Sequence, residues 1–273
     1  MDGYWPYVES NRDPPREYTY GEFDLSFFAH LLTTYCRECR SFRDIGSGTG
    51  RLVFASAALM PSFEKCSGLE ILPRLHECAI SNLDRCCRNK EGILVFPGND
   101  IELKPFIQFE QGSLEDPYMF IGDADAIFCF ASCMPEPVRA ALAIQIGRQC
   151  SNGTIIMTSE YPLHLSGTCP AVIDDEERIP EGSYELELVD TVTGPCDVVG
   201  GTSTVFIHRV KKSMELPKME PPLLSLGQIA YRAVQQAEKT RNTDAFLRKV
   251  YNNMVFLGLP ERFWPRSFQR QDD

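Results

Sequence analysis

The sequence lacks the features that several function classes require. No stretch approaches the roughly 20 consecutive apolar residues of a membrane-spanning helix, so neither such a helix nor a membrane partner is expected. Residues 1–16 carry no apolar run, so no secretory leader is expected there. Eleven cysteines are present, yet only Cys36 and Cys39 stand at zinc-type spacing. No second Cys-x-x-Cys and no His-x-x-x-His completes a tetrahedral set, so no metal is expected. Thiols scattered in this way suit a reducing compartment, nucleus or cytoplasm. Internal repeats and low-complexity segments are missing. Basic residues are scarce in residues 1–207, with 15 Lys and Arg against 31 Asp and Glu. So acidic a body repels phosphate backbones, and nucleic acid is not expected as its direct ligand. Residues 208–273 reverse the balance, 12 basic against 7 acidic. That tail suits a solvated helix face or an acidic partner.

The 273 residues, 43% of them hydrophobic, suffice for one large domain or a domain with an added lobe. A polar, proline-bearing arm is expected over 1–17. Apolar spacing predicts a helix over Gly21–Tyr35. Strands are predicted at Ser41–Ile45, Cys66–Ile71, Ile107–Gly112, Ala124–Phe130 and Gly153–Ser159. Helices are predicted at Arg51–Met60, Pro73–Asn89 and Pro137–Gln149. This alternation implies right-handed βαβ units and a parallel sheet. Tyr184–Val192 and Ser203–Val210, separated by Gly194-Pro195 and Gly200-Gly201, are expected to add an antiparallel edge pair. The expected architecture is therefore α/β, seven-stranded, Rossmann-like and mostly parallel. After Pro217 and Pro221-Pro222, one or two helices are expected over Leu226–Met254.

Phe42-Arg43-Asp44-Ile45-Gly46-Ser47-Gly48-Thr49-Gly50-Arg51 joins a strand end, a glycine-rich turn and a helix start. Glycine lets the backbone approach a ligand closely, and the helix N-terminus adds the positive end of its dipole. The spacing is Gly-x-Gly-x-Gly, whereas dinucleotide folds use Gly-x-Gly-x-x-Gly. No Gly-Lys-Ser/Thr follows, which sets a phosphate loop aside. An acid at the end of the first strand, Asp44, looks like the S-adenosylmethionine loop of class I methyltransferases. Glu70 ends the second predicted strand, 26 residues on. At the carboxyl edge of a parallel sheet an acid can accept hydrogen bonds from both hydroxyls of a ribose. Gly112-Ser113-Leu114 ends the third strand, where Ser113 can bond an adenine edge and Leu114 can pack on its ring.

With Tyr20-Gly21-Glu22 ahead of the loop, Gly68-Leu69-Glu70 after it, Ala126-Ile127-Phe128 followed by Pro135-Glu136, Gly153-Thr154-Ile155-Ile156 and Phe206-Ile207-His208, the chain resembles the disruptor-of-telomeric-silencing enzymes. These are histone lysine methyltransferases built on the class I fold. The resemblance covers roughly residues 18–212, the expected catalytic domain, leaving 213–273 as a helical extension packed on it. It implies S-adenosyl-L-methionine as cofactor, held by Tyr20, Glu22, Asp44, Gly46, Ser47, Gly48, Gly50, Glu70, Ser113, Leu114 and Phe128. It implies transfer to a protein side chain, a histone or another, of the lysine kind. Phe128 to Met134 with Ser159-Glu160-Tyr161 would form the acceptor mouth, with Phe130, Glu160 and Tyr161 nearest the chemistry. The chain departs from the family at Arg51, where the family has glutamine, at Gly112-Ser113-Leu114, where it has Gly-Asp-Phe, and at Cys129-Phe130-Ala131, Val198-Val199-Gly200 and Val205, where the family lines a lysine channel. Those departures keep two alternatives in view: a cofactor-binding protein acting through its surface, and a small-molecule methyltransferase.

Overall fold

A computed structural model describes residues 22–88, 94–96, 101–173, 178–196 and 201–218. The chain divides into two compact units, Met1–Met219 and Glu220–Asp273, and every described residue belongs to the first. The arm expected over 1–17 and the helices expected over Leu226–Met254 lie outside the described residues.

Helix α1 (Leu25–Tyr35) starts where the Asp24 carboxylate accepts the Phe27 N–H at 2.7 Å. It buries Phe27, Phe28, Leu31 and Leu32 as one stripe. β1 (Ser41–Ile45), α2 (Arg51–Leu59), β2 (Lys65–Glu70) and α3 (Pro73–Asp84) follow, the last with proline in its first turn, where no amide hydrogen is needed. Helix α3 ends five residues short of the expected Asn89. The chain turns at Arg85 and Cys86 into β3 (Cys87–Arg88), which joins β4 (Leu94–Phe96) and β5 (Ile101–Leu103) in a small antiparallel sheet. Then come β6 (Phe106–Gln111), β7 (Ala126–Cys129), a 3-10 turn at Ala131–Cys133, α4 (Glu136–Gln149) and β8 (Ile155–Ser159). The described chain closes with β9 (Ser166–Cys169), the short pair β10 (Val172–Ile173) and β11 (Arg178–Ile179), β12 (Gly182–Cys196) and β13 (Gly201–Lys212). None of the described helices is long and apolar enough to cross a membrane.

The main sheet has the order β6-β2-β1-β7-β8-β13-β12-β9. Its first five strands are parallel and the last three run antiparallel. This is the expected mostly parallel α/β sheet, with eight strands rather than seven. The extra strand, β9, reads Ser-Gly-Thr-Cys and carries no apolar alternation. β12 also runs four residues beyond the expected Val192, through Gly194-Pro195. Beyond Glu185 its outer side leaves the pairing with β9, so on that side Pro195 faces no strand that needs a donor. Gly194 lies so close to the Phe27 ring that a Cβ there would come within 2.4 Å of it.

Alternate residues of the central strands feed two cores. Phe42, Ala126, Phe128, Ile155, Met157, Val205 and Ile207 face the layer of α1 and α2. Ile45, Ile127, Cys129, Ile156 and Val210 face α4 with Leu142, Ala143 and Ile146. The carboxyl ends of β1, β2 and β7 are thereby fixed side by side, in register at Ile45↔Leu69 and Ile45↔Cys129.

Candidate functional site

Gly46, Gly48 and Gly50 all have positive φ, +78°, +55° and +87°. Left-handed backbone three times in five residues is open to glycine and strained for other side chains. The loop is laced to its neighbours. The Gly46 and Ser47 N–H groups donate to the Leu69 carbonyl at 2.8 and 3.0 Å, and Gly50 N–H donates to Ser47 O at 2.8 Å. A Cβ on Gly50 would stand 2.5 Å from the Phe109 ring, and one on Gly68 would stand 2.5 Å from Ser47 Oγ. Gly50 also supplies no side-chain cap to α2, so the first amides of that helix keep their hydrogen-bonding capacity toward a ligand.

Two buried carboxylates lie under this loop. Glu70 accepts the Gly48 N–H at 2.7 Å on one oxygen and the Leu72 N–H at 2.8 Å on the other. Each oxygen keeps a further lone pair. Burial raises its pKa, and those amides pull it back down. Asp44 is only 3% exposed. Burial first, and the Glu70 charge second, push it up to about 8. Acids perturbed in this way cluster at functional sites. Ser47 Oγ is buried without a hydrogen-bond partner, a polar atom waiting for one.

A cleft of about 340 Å³, open to solvent, is lined by Glu22, Phe23, Asp44, Gly46, Ser47, Arg51, Leu52 and Phe130. The structure thus brings Glu22, Asp44, Gly46, Ser47 and Phe130 together, with Gly48, Gly50 and Glu70 in the loop and beneath it. Arg51 pairs with Glu22 at 3.1 Å and donates to Phe23 O at 3.0 Å, tying the segment before α1 to the start of α2. Phe23 and Leu52 were not foreseen. The adjacency of Phe23 to Glu22, and of Leu52 to Arg51, was the available signal.

The other expected residues stand elsewhere. Phe128 is fully buried, edge-on to Phe23 and Phe28 at 5.0 and 5.3 Å, and belongs to the core behind the cleft. Leu114 packs into the α4-side core, and Ser113 Oγ accepts the Glu115 N–H in a local turn. Neither lines the cleft. Glu160 has left-handed backbone, φ +63°, and its carboxylate accepts from Ser203 Oγ and from Thr204 N, the latter at 3.3 Å. It is therefore turned onto β13. Tyr161 is exposed, with the Arg139 guanidinium 4.1 Å from its ring centre. Cys129 and Val205 are fully buried in the two cores. Tyr20, Val198, Val199 and Gly200 lie outside the described residues.

No protein-family model matches the chain, and no curated protein matches it. Among solved structures, an RNA methyltransferase from Salinibacter ruber bound to S-adenosyl-L-homocysteine is similar over 75% of this chain and 99% of its own, at 18% identity and a TM-score of 0.44. A SAM-dependent methyltransferase from Methanosarcina mazei is similar over 67% and 97%, at 13% identity and a TM-score of 0.46. An O-methyltransferase from Bacillus cereus, also bound to S-adenosyl-L-homocysteine, is similar over 76% and 88%, at 13% identity and a TM-score of 0.44.

Proposed function

We propose that the protein is an S-adenosyl-L-methionine-dependent methyltransferase of class I. The observation that carries this is the pair Asp44 and Glu70, buried at adjacent parallel strand ends under three left-handed glycines. Glu70, beside an acid that a cation would ionise, disfavours a pyrophosphate and favours a ligand with positive charge and hydroxyls. S-adenosyl-L-methionine offers both, as a sulfonium, an ammonium and a ribose diol. It also carries a carboxylate, suited to the uncapped start of α2 and to the Arg51 guanidinium. The residues fit it: Asp44 would hold the cationic end, Glu70 and the orphaned Ser47 hydroxyl would take the ribose hydroxyls, and Arg51 with the Leu52 amide would hold the amino-acid carboxylate.

When bound, the cofactor supplies an electrophilic methyl group for in-line displacement. The chain's own residues bind, orient and exclude water. Phe23 and Phe130, edge to face at 5.4 Å, wall the cleft with apolar surface. We place the acceptor beyond Phe130, between the 3-10 turn after β7 and Tyr161 after β8, because open α/β sheets take ligands at the carboxyl ends of their strands. Glu160, held on β13, then shapes the backbone at this mouth, and Tyr161 stands at its rim. The resemblance implies a protein acceptor, histone or other, with a lysine side chain; the departures at Cys129 and Val205 keep a small-molecule acceptor as the alternative. We place the action in nucleus or cytoplasm, where the described cysteines, ten of them free thiols, stay reduced.

Calorimetry with S-adenosyl-L-methionine tests the binding half, and no heat of binding refutes the proposal. Transfer of labelled methyl to histones, peptides and small-molecule extracts tests the catalytic half. Binding without transfer to any of them favours the second reading, a cofactor-binding protein acting through its surface. The full burial of Cys129 and Val205, at positions where the resembled family opens a lysine channel, motivates that reading.

A further inference from the structure

The loops that follow β7 and β8 meet in one contact. Arg139, in the first turns of α4, donates its Nη1 to the Met134 carbonyl and lays its guanidinium on the Tyr161 ring, 4.1 Å from the centre. Both partners are fixed. Tyr161 N–H donates to Ser159 O at 2.8 Å, and Tyr161 O accepts the Thr158 hydroxyl at 2.8 Å. Met134 packs back toward the cofactor loop: a Cβ on Gly46 would lie 3.4 Å from its Cε, and its sulfur stands 3.4 Å from Cys129 Sγ. Arg139 is therefore one hydrogen bond away from a side chain that touches the glycine loop.

With Nη1 taken, the Nε–Nη2 edge of the guanidinium remains, two parallel donors in the geometry of a bidentate carboxylate or phosphate contact. Among the described residues no carboxylate pairs with Arg139. Glu160, beside Tyr161 in the chain, is committed to Ser203 and Thr204 instead. A half-buried guanidinium fixed on an aromatic plate, with one fork edge unmatched, stands in a body otherwise rich in acids.

We propose that the Arg139–Tyr161 stack is an anion clamp at the acceptor mouth, and that the methyl acceptor is a small molecule carrying a carboxylate or phosphate group near the atom that is methylated. The clamp rests on the methyltransferase reading of the cleft and deepens it by naming the acceptor's chemistry. A lysine ammonium would approach an unmatched positive charge there, so the clamp discriminates against the acceptor of the resembled family. The acceptor's lone pair forms the new bond to the methyl carbon. The carbon–sulfur bond breaks with its electron pair left on sulfur, and the acceptor's displaced proton goes to solvent.

The test uses the full chain saturated with S-adenosyl-L-homocysteine. Calorimetry first measures that binding, and its absence would refute the methyltransferase reading itself. The loaded protein is then titrated with benzoate, phenyl phosphate, benzamide and benzylamine while the Arg139 side-chain Nε–H signal is followed by NMR. Benzoate or phenyl phosphate is expected to move that signal and to bind at least about tenfold more tightly than benzamide, with benzylamine weaker still. The stronger of the two anions tells a carboxylate from a phosphate site. Arg139→Gln is expected to remove the preference, and Arg139→Lys, which keeps the charge without the fork, to restore part of it. Equal binding of benzoate and benzamide, an unmoved Nε–H signal, or a preference that survives Arg139→Gln would overturn the clamp while leaving the cofactor site standing. Preference for benzylamine would overturn it in favour of a cationic acceptor.

Discussion

The carboxylate of Glu70 accepts the backbone N–H of Gly48 at 2.7 Å, so the acid at the end of β2 holds the glycine loop in place. Its second oxygen accepts Leu72 N–H at 2.8 Å, just ahead of α3. Glu70→Ala leaves one buried and one part-buried amide without an acceptor. We expect unfolding stability to fall by about 1–3 kcal/mol per orphaned donor, as urea denaturation would show. Affinity for S-adenosyl-L-methionine should fall at least about tenfold, since one charge-assisted hydrogen bond is worth that much. Glu70→Gln, which keeps a single acceptor oxygen, should fall between.

Asp44 gives the cofactor site a pH signature. Its carboxyl is pushed up to about 8, by burial first and by Glu70 second. A raised carboxylate pKa favours the unfolded chain wherever that chain is ionised and the folded one is not. The penalty is absent below the unfolded value near 4 and grows as pH rises toward 8. The ligand-free protein should therefore lose stability across that window, and Asp44→Asn should flatten the loss. A cationic ligand wants Asp44 ionised. Its affinity should rise with pH, by at most about tenfold per unit, up to about pH 8. Binding should release a proton, detectable by calorimetry in two buffers of different ionisation enthalpy. Affinity independent of pH between 6 and 8 would remove Asp44 from the cationic end.

His208 predicts the acid limit. It is fully buried on β13, with Nε2 accepting the Leu163 N–H at 3.3 Å and Nδ1 meeting no partner. Burial lowers its pKa to about 4 from 6.5. A histidine with a depressed folded pKa contributes full stability above 6.5 and loses it as pH falls from there toward 4. The loss by pH 4 should be about 3 kcal/mol, at 1.36 kcal/mol per unit. His208→Gln, which can still accept from Leu163, should flatten this part of the profile in guanidinium melts.

The parallel half of the sheet was legible because its strands lie between turn signals, with apolar residues alternating in β6 and continuous in β7 and the start of β8. Asp44 and Glu70 stood out as acids near the ends of β1 and β2. β9 was hidden because an edge strand of small polar residues has no period to read, and β12 was cut short because proline and glycine signal a turn unless the strand is at an edge. Phe128 was assigned to the cofactor although it alternates with Ile127 across the sheet. Its side is the α1 layer, where Phe23 and Phe28 cover it. The link from Arg51 to Glu22 joins residues 29 apart and only exists once α1 has folded over the loop. The Arg139–Tyr161 stack likewise depends on the β7–α4–β8 crossover and leaves no local pattern in the chain.

Arg43 tests what holds the strand ends in place. It sits on β1 beside Asp44, only 1% exposed, and points to the opposite face. Nη1 donates to Glu110 at 3.1 Å on β6 and to Phe120 O at 2.9 Å, and Nη2 reaches Asp123 at 3.2 Å. One buried guanidinium thus ties β1 to β6 and to the turn before β7. Removing the arginine empties a fully buried volume and cuts three ties at once. Arg43→Ala should cost about 2–5 kcal/mol in chemical denaturation. Glu110 and Asp123 are 26% and 29% exposed, so water can reach them once the arginine is gone. Arg43→Met, which refills the volume, should therefore recover a large part of that loss and leave S-adenosyl-L-methionine affinity within about threefold of the parent. If the methionine variant were as unstable as alanine, charge rather than volume would be what fastens β1 to its neighbours. If it were stable but had lost the cofactor, Arg43 would belong to the site through Asp44 rather than to the frame beneath it.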